Sequence, residues 1–304
     1  MSSRITWFAL QCSIAALIGC SGGGNDTCTT DDQCASHFCR ADGTCGPAGE
    51  IDAGSGSNGG SDAGTTGLCT PNHDGTISAN EVPLAAGKMA NFRIATSATW
   101  DTTGTAGMAG TRIWNLAGSL TNDADQPVVL EAPAGKWWAN DTGFATATYA
   151  VTLAAGDDTM GVFHVDDTGV TLLGLVSPVK TTPYTEVTYD PPARILSVPF
   201  GASDTWTSSS TVSGTLKTTG FVNYTEKYVS NVDQTGTMTT PYGEFPVLRV
   251  GTVLSELQLT TQFRSVRSYA WVAECFGTVA SVTSTDNEAG AEFSSDAEVR
   301  RLIP

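Results

Sequence analysis

The sequence has few basic residues and few histidines. Lys and Arg total 15 against 31 Asp and Glu, giving a formal net charge of −16, and the 304 residues include 3 His. A nucleic-acid-binding surface needs clustered Lys and Arg side chains to neutralise phosphates. An anionic membrane surface attracts the same residues. The composition therefore argues against both kinds of electrostatic partner, and we expect no nucleic-acid partner.

Sequence motifs for catalysis are also missing. The chain has no G-x-S-x-G nucleophile elbow, P-loop, dinucleotide fingerprint or H-E-x-x-H zinc motif. His164 lies in a predicted strand beside Asp166 and Asp167. A hydrolase using His164 is one interpretation, but a histidine satisfied within a strand is the simpler one. We therefore expect a non-enzymatic protein without catalytic residues and keep the hydrolase as an alternative.

Long apolar runs are also scarce, and none approaches the roughly 20 residues that span a bilayer as a helix. The N-terminal run, Trp7 to Ile18, follows Arg4, a pattern typical of a signal peptide over residues 1–19. It ends in Leu17-Ile18-Gly19-Cys20, which resembles a bacterial lipobox. That resemblance implies cleavage before Cys20, lipidation of its thiol, and anchoring in the cell envelope, at the outer membrane rather than the inner. A disulfide at Cys20 is the alternative.

Four of the eight cysteines form a small module over residues 28–45, after a tether at residues 20–27. They are Cys28, Cys34, Cys39 and Cys45. The module has few apolar residues, so we expect disulfides to stabilise it in place of a core. A zinc site is the alternative. The module resembles the Cys-rich insert that follows the lipobox in lipoproteins of myxobacteria and their relatives. Its similarity to EGF-like modules favours interleaved pairing, first with third and second with fourth, although all three pairings stay open.

Two cysteines outside the module, Cys69 and Cys275, have no assigned partner, because Cys12 leaves with the signal peptide. An exported protein folds in an oxidising compartment, so we predict that they form a disulfide. Residues 46–67, rich in Gly, Ser and Asp, predict a disordered linker. The main domain then covers residues 68–304.

The segment after Cys69 resembles a degenerate EF-hand or dockerin loop. Asn72, Asp74 and Glu81 fall at loop positions three, five and twelve, and Thr76 supplies position seven. Oxygen ligands spaced in this way surround Ca²⁺, so these four residues are a candidate calcium site. Thr70 replaces the first aspartate, and Pro83 prevents a full exiting helix. The alternative is an Asp-Gly turn followed by one helical turn with a Ser78–Glu81 capping box.

Alternating apolar and polar residues predict a mainly β domain with an antiparallel meander. The expected strands are 89–98, 111–118, 126–132, 145–153, 159–166, 169–176, 195–200, 205–217, 220–233, 243–260 and 262–284. We expect turns at Gly220, Gly236 and residues 241–243. Prolines 183, 191 and 192 predict a crossing between two sub-sheets. Ser295 to Glu298 predict the cap of a C-terminal helix.

The long strands of the second half predict a sheet that curves into a half-barrel or sandwich. Residues 185–285 resemble, in pattern alone, the half-barrels of outer-membrane-associated lipoproteins. We therefore expect a lipid-anchored envelope protein whose β-domain binds an apolar ligand or an envelope protein partner. A structural or adhesive surface protein is the alternative. A deep apolar cavity would favour ligand binding.

Overall fold

The structure is a computed structural model that describes residues 69–304. The predictions made for the signal peptide, Cys20, the tether, the cystine module and the linker lie outside the described residues. The predicted mainly β fold is confirmed. Within residues 69–304, three short 3-10 helices occur at Ala79–Glu81, Met108–Gly110 and Thr142–Phe144. No helix in this range has the length and hydropathy needed to cross a bilayer.

Sixteen strands cover most of the described chain. They are β1 (Thr76–Ile77), β2 (Met89–Thr99), β3 (Thr105–Ala106), β4 (Arg112–Asn115), β5 (Asp123–Val129), β6 (Tyr149–Thr152), β7 (Met160–Asp166), β8 (Gly169–Val176), β9 (Glu186–Ser197), β10 (Phe200–Gly201), β11 (Thr205–Leu216), β12 (Gly220–Thr239), β13 (Glu244–Gln258), β14 (Thr261–Ala273), β15 (Gly277–Ser284) and β16 (Ser295–Leu302).

Twelve of these strands form one antiparallel sheet in the order β5-β2-β16-β15-β14-β13-β12-β11-β9-β8-β7-β6. Glu131, just after β5, pairs with Ala150 of β6. The two edges of the sheet therefore meet, and the sheet closes almost completely into a barrel. β4 adds to β12 in parallel, β3 pairs with β4, and β1 forms a separate ribbon with β10.

The barrel wall follows the two-residue period of its strands. On β12, Tyr228 and Val232 are buried inside while Lys227 and Asn231 are exposed. Aromatic side chains also pack together around Trp271, which is fully buried. The rings of Trp100 and Trp114 meet it edge-on, with centroids 5.5 and 5.6 Å away. Such pairs add about 0.5–1.5 kcal/mol each beyond area burial, so they fix the 100–115 segment on the barrel.

The predicted crossing at the prolines is wrong, because β9 runs through Pro191 and Pro192 within the single sheet. Its pairing with β11 covers Glu186 to Asp190 and stops just before Pro191. A residue without an N–H therefore removes no hydrogen bond from that ladder. Pairing with β8 shifts register in the same region, so irregularity in the two ladders accommodates the prolines.

The predicted C-terminal helix is also wrong. Residues 295–302 form β16, which pairs with β15 on one side and β2 on the other. Hydrogen bonding to two neighbours outweighs a local capping signal, as tertiary context commonly does. The predicted turn at Gly236 is wrong as well, since β12 continues to Thr239. A Cβ on Gly236 would lie 1.8 Å from the carbonyl oxygen of Arg112, so the glycine permits the close approach of β4.

Most of the predicted strands have different bounds in the structure, and the predicted strand 195–200 falls partly on β9, which begins earlier, at Glu186. Residues 262–284 form two strands, β14 and β15, because the chain turns at residues 274–276. Cys275 lies in that turn with φ 66°, not on a strand face as the alternation suggests. The predicted strand 145–153 shortens to Tyr149–Thr152, since Thr142–Phe144 form a 3-10 helix just before it.

Candidate functional site

A cavity of about 680 Å³ lies at the end of the barrel where β12 turns into β13 and β14 turns into β15. The segment after Cys69 forms its opposite wall. Most of the lining is apolar and includes Pro71, Ile77, Tyr242, Phe245, Val272 and Phe276. Cavities that bind small molecules are about 300–1,000 Å³ and mainly apolar, so both the size and the lining suit a small-molecule site.

Three aromatic rings pack together in the cavity wall. The ring centroids of Phe245 and Phe276 are 4.9 Å apart, and Tyr242 contacts both rings at 5.9 and 6.0 Å. The Tyr242 N–H also donates to the carbonyl of Leu302. Because two tight turns supply these rings and they brace each other, this part of the wall is preformed.

The other wall is held by a covalent bond. The predicted disulfide between Cys69 and Cys275 is present, with the two Cα atoms 5.4 Å apart. The Cys275 N–H donates to the carbonyl of Glu81 at 2.8 Å. Thr76 and Ile77 pair with Gly201 and Phe200. The segment 69–81 is therefore attached at three places and cannot swing away from the barrel as a free loop.

His73, Glu244 and Glu274 are the chargeable groups that line the cavity. Glu274 accepts the backbone N–H of His73 at 2.9 Å. The His73 Nδ1 lies 3.8 Å from the same carboxylate, whose side chain is only 13% exposed. His73 adopts a left-handed φ of 57°, and the Glu274 that accepts its N–H lies in the turn directly after β14. A mostly buried carboxylate thus lies beside the apolar surface.

The predicted calcium residues form a hydrogen-bonded turn. Asn72 Oδ1 accepts the N–H of Asp74 at 2.9 Å, and Asp74 Oδ1 accepts the N–H of Thr76 at 2.7 Å. Glu81, which is 2% exposed, instead accepts the N–H and hydroxyl of Ser78 in a capping box. Among residues 69–304, no three His, Cys, Asp or Glu side chains cluster closely enough to hold a metal. Calcium binding stays a prediction.

His164 lies on β7, away from the residues that line the cavity. Its Nδ1 lies 2.7 Å from the carbonyl oxygen of Thr146, and its Nε2 lies 3.6 Å from Asp166 Oδ2. Asp166 also accepts the N–H and hydroxyl of Thr168 in the hairpin turn. Neither contact of His164 is with a nucleophile, and both fit the histidine satisfied within a strand.

A buried polar cluster inside the barrel was not predicted. Glu226 is fully buried and accepts the hydroxyls of Tyr224 and Tyr228 at 3.1 and 2.6 Å. Glu256 lies opposite it on β13 and forms an ion pair with Arg264. Burial raises the pKa of Glu226 to about 7. The alternation 224, 226, 228 on one strand face was the available signal, since it places a carboxylate between two tyrosines.

A second buried carboxyl belongs to Asp296 at the start of β16. It is 2% exposed, and neither oxygen has a hydrogen-bond partner of good geometry among the described residues. Burial raises its pKa to about 7, against a smaller opposite effect of the Trp100 N–H. An ionised carboxylate with so little hydrogen bonding is costly in the protein interior, so burial favours the protonated form of Asp296 below pH about 7.

No protein-family model matches the sequence, and no curated protein matches it significantly. A solved structure of a Bacteroides fragilis protein, described as exported and as having a YmcC-like fold, is distantly similar. The similarity covers 77% of this chain and 97% of that chain, with 13% sequence identity and a TM-score of 0.36. The inferences below rest on this chain's own residues.

Proposed function

We propose that the protein is a non-enzymatic, lipid-anchored component of the cell envelope whose β-domain binds an apolar small molecule. The observation that carries the binding role is the cavity of about 680 Å³ beside Phe245 and Phe276. Burying apolar ligand surface there would contribute roughly 25 cal/mol per Å². The preformed aromatic wall lowers the ordering cost on binding. The lipobox-like stretch ending at Cys20 supports the anchor and the envelope location.

Gly243 offers a way to block this cavity without disturbing the fold. It lines the cavity, its φ lies outside the left-handed region, and an added Cβ would meet no atom within 4 Å. Gly118 shares the last two properties, is exposed and does not line the cavity. Gly243→Phe therefore fills the site, and Gly118→Phe is its matched control.

Titration with N-phenyl-1-naphthylamine, whose fluorescence rises in apolar surroundings, tests the proposal on the full mature chain. We expect saturable binding by the wild type and by Gly118→Phe. Gly243→Phe should bind at least about tenfold more weakly, corresponding to about 1.4 kcal/mol, with an unchanged melting temperature. Equal binding by all three proteins, or binding by none, would reject the cavity as the site.

The anchor is tested separately by labelling growing cells with a radioactive fatty acid. The wild type should carry label and sediment with membranes. Cys20→Ala should lack label, and the protein should remain unprocessed or soluble. Label that persists in Cys20→Ala would remove the lipoprotein assignment, and it would leave the ligand-binding proposal untouched because that rests on the cavity.

A further inference from the structure

The chargeable side chains that line the cavity are mostly acidic. Two carboxylates, Glu244 and Glu274, and one histidine, His73, line it. Among the described residues, no Lys or Arg side chain lines it. The chain as a whole carries a formal charge of −16. The local and the global charge therefore both oppose an anionic head group and favour a cationic one.

Glu274 is the group best placed to meet such a head group. Its side chain is 13% exposed, so water solvates it only in part, and the residue lines the cavity. Its Oε2 accepts the His73 N–H. Its other oxygen, Oε1, makes no hydrogen bond within residues 69–304 and is not fully buried. A largely buried carboxylate with an accessible oxygen gains much from a charged donor, since hydrogen bonds to ionised groups are stronger than neutral ones.

We infer that the cavity binds apolar molecules that carry a protonated amine, with the amine at the Glu274 carboxylate and the hydrocarbon against Phe245 and Phe276. This inference rests on the proposed function and specifies the class of ligand that the cavity binds. Glu244 is exposed, so water screens its charge and it adds mainly to the attraction at longer range. Fatty-acid carboxylates and lipid phosphates are disfavoured because they would place like charge beside Glu274.

The test uses three straight-chain amphiphiles of equal length: dodecylamine, dodecanol and dodecanoate. Each is tested for displacement of bound N-phenyl-1-naphthylamine from the full mature chain at neutral pH, below the concentration at which it aggregates. The alcohol measures the apolar contribution alone. We expect the amine to bind at least about tenfold more tightly than the alcohol, as a charge-assisted hydrogen bond predicts. The carboxylate should be the weakest of the three.

Two variants locate the preference. Glu274→Gln keeps an oxygen for the His73 N–H and removes the charge, so it should abolish most of the amine's advantage while the alcohol binds as before. Glu244→Gln is the matched control, and it should change the ratio of amine to alcohol affinity by less than about threefold because exposed charges contribute little. Unchanged alcohol binding and melting temperature report an intact fold.

The outcomes separate this inference from the proposal on which it rests. Equal displacement by all three ligands, or strongest displacement by dodecanoate, overturns the inference and leaves the cavity as a binding site. Failure of the probe to bind at all rejects the proposed function itself. Should Glu274→Gln fail to fold, the wild type still decides. Its ratio of amine to alcohol affinity should reach about tenfold, and a ratio near one at every salt concentration would overturn the inference.

Discussion

Cys275 is linked to Cys69 by a disulfide, and its backbone N–H donates to the carbonyl of Glu81 at 2.8 Å. One turn residue thus holds both ends of the 69–81 segment, which forms one wall of the cavity. The disulfide joins residues 206 positions apart. Restricting so long a loop in the unfolded chain is worth about 5 kcal/mol at most, and native disulfides in general contribute about 2–5 kcal/mol.

The first prediction follows from this bond. The double variant Cys69→Ser/Cys275→Ser should have a free energy of unfolding about 2–5 kcal/mol lower than the wild type, measured by urea denaturation. A reductant should destabilise the wild-type β-domain and leave the double variant unchanged. If the reductant lowered the stability of both proteins equally, the disulfide that it breaks would lie elsewhere in the chain. Peptide mapping without reduction gives the pairing directly.

The second prediction concerns calcium at Asn72, Asp74, Thr76 and Glu81. Calcium should raise the melting temperature above the value in chelator, since binding to the folded state adds about 2.7 kcal/mol at a hundredfold excess over Kd. Asp74→Ala and Glu81→Ala should abolish that rise. Both changes also remove hydrogen bonds of the turn, so each variant is compared with itself in calcium and in chelator. Identical wild-type curves would reject the site.

The third prediction concerns the pH dependence of stability. The pKa of Asp296 is about 7 in the folded protein, against about 4 in an unfolded chain. The folded state binds the extra proton between these values, so stability falls as pH rises from about 4 to about 7. Asp296→Asn should remove that part of the fall and be about 1–4 kcal/mol more stable than the wild type at pH about 8.

The matched control is Asp190→Asn, which changes an exposed aspartate on β9. Its stability should follow that of the wild type across the same pH range. Part of the decline should persist in Asp296→Asn, because burial also raises the pKa of Glu226 to about 7. If the stability of Asp296→Asn fell with pH as steeply as that of the wild type, Asp296 would not titrate in this range.

The fourth prediction addresses the cluster inside the barrel. Tyr228→Phe removes the hydroxyl that donates to Glu226 at 2.6 Å. Since this hydrogen bond lowers the pKa of Glu226, its loss should raise that pKa further. The variant should lose about 1.5–3 kcal/mol above pH about 7, where Glu226 is ionised. It should lose less at pH about 5, where the protonated carboxyl can itself donate.

Tyr184→Phe is the control for this change, because Tyr184 packs its ring against Trp137 outside the cluster. Its effect on the free energy of unfolding should be small and independent of pH. A loss that is equal at both pH values in Tyr228→Phe would mean that the hydroxyl contributes through packing or a neutral bond. The pH dependence therefore distinguishes the two roles, whereas a single melting temperature does not.

Much of the sheet was predictable because alternation within a strand is a local property. The turn at residues 241–243 and the hairpin of β7 and β8 follow from short-range residue choices. β16 could not be predicted, because residues 295–302 form a strand only by pairing with β2 and β15. No local pattern around Ser295 reveals these two partners. The turn at Cys275 could not be predicted for a similar reason, because the alternation continues across the predicted strand 262–284 and only the structure shows the turn.

The cavity was predictable only in part. Tyr242 lies in the predicted turn at residues 241–243 and Phe245 in the strand after it, where an aromatic ring can serve either core packing or ligand binding. The cavity itself requires Pro71, Tyr242 and Phe276 to lie around one space. These residues come from three distant segments, so the sequence alone does not show that they enclose a cavity. The role of Glu274 could not be predicted for the same reason, because its carboxylate contacts His73, which is 201 positions away in the sequence.

The order of strands around the barrel has a consequence for how the chain assembles during synthesis. Successive long strands are neighbours, and the ring is completed where β16 pairs with β2 from Phe92↔Leu302 to Thr99↔Ser295. A chain is synthesised from its N-terminus, so β2 emerges well before β16, its partner in this ladder. Until β16 is in place, the edges of β2 and β15 that it covers stay open to pairing with other chains.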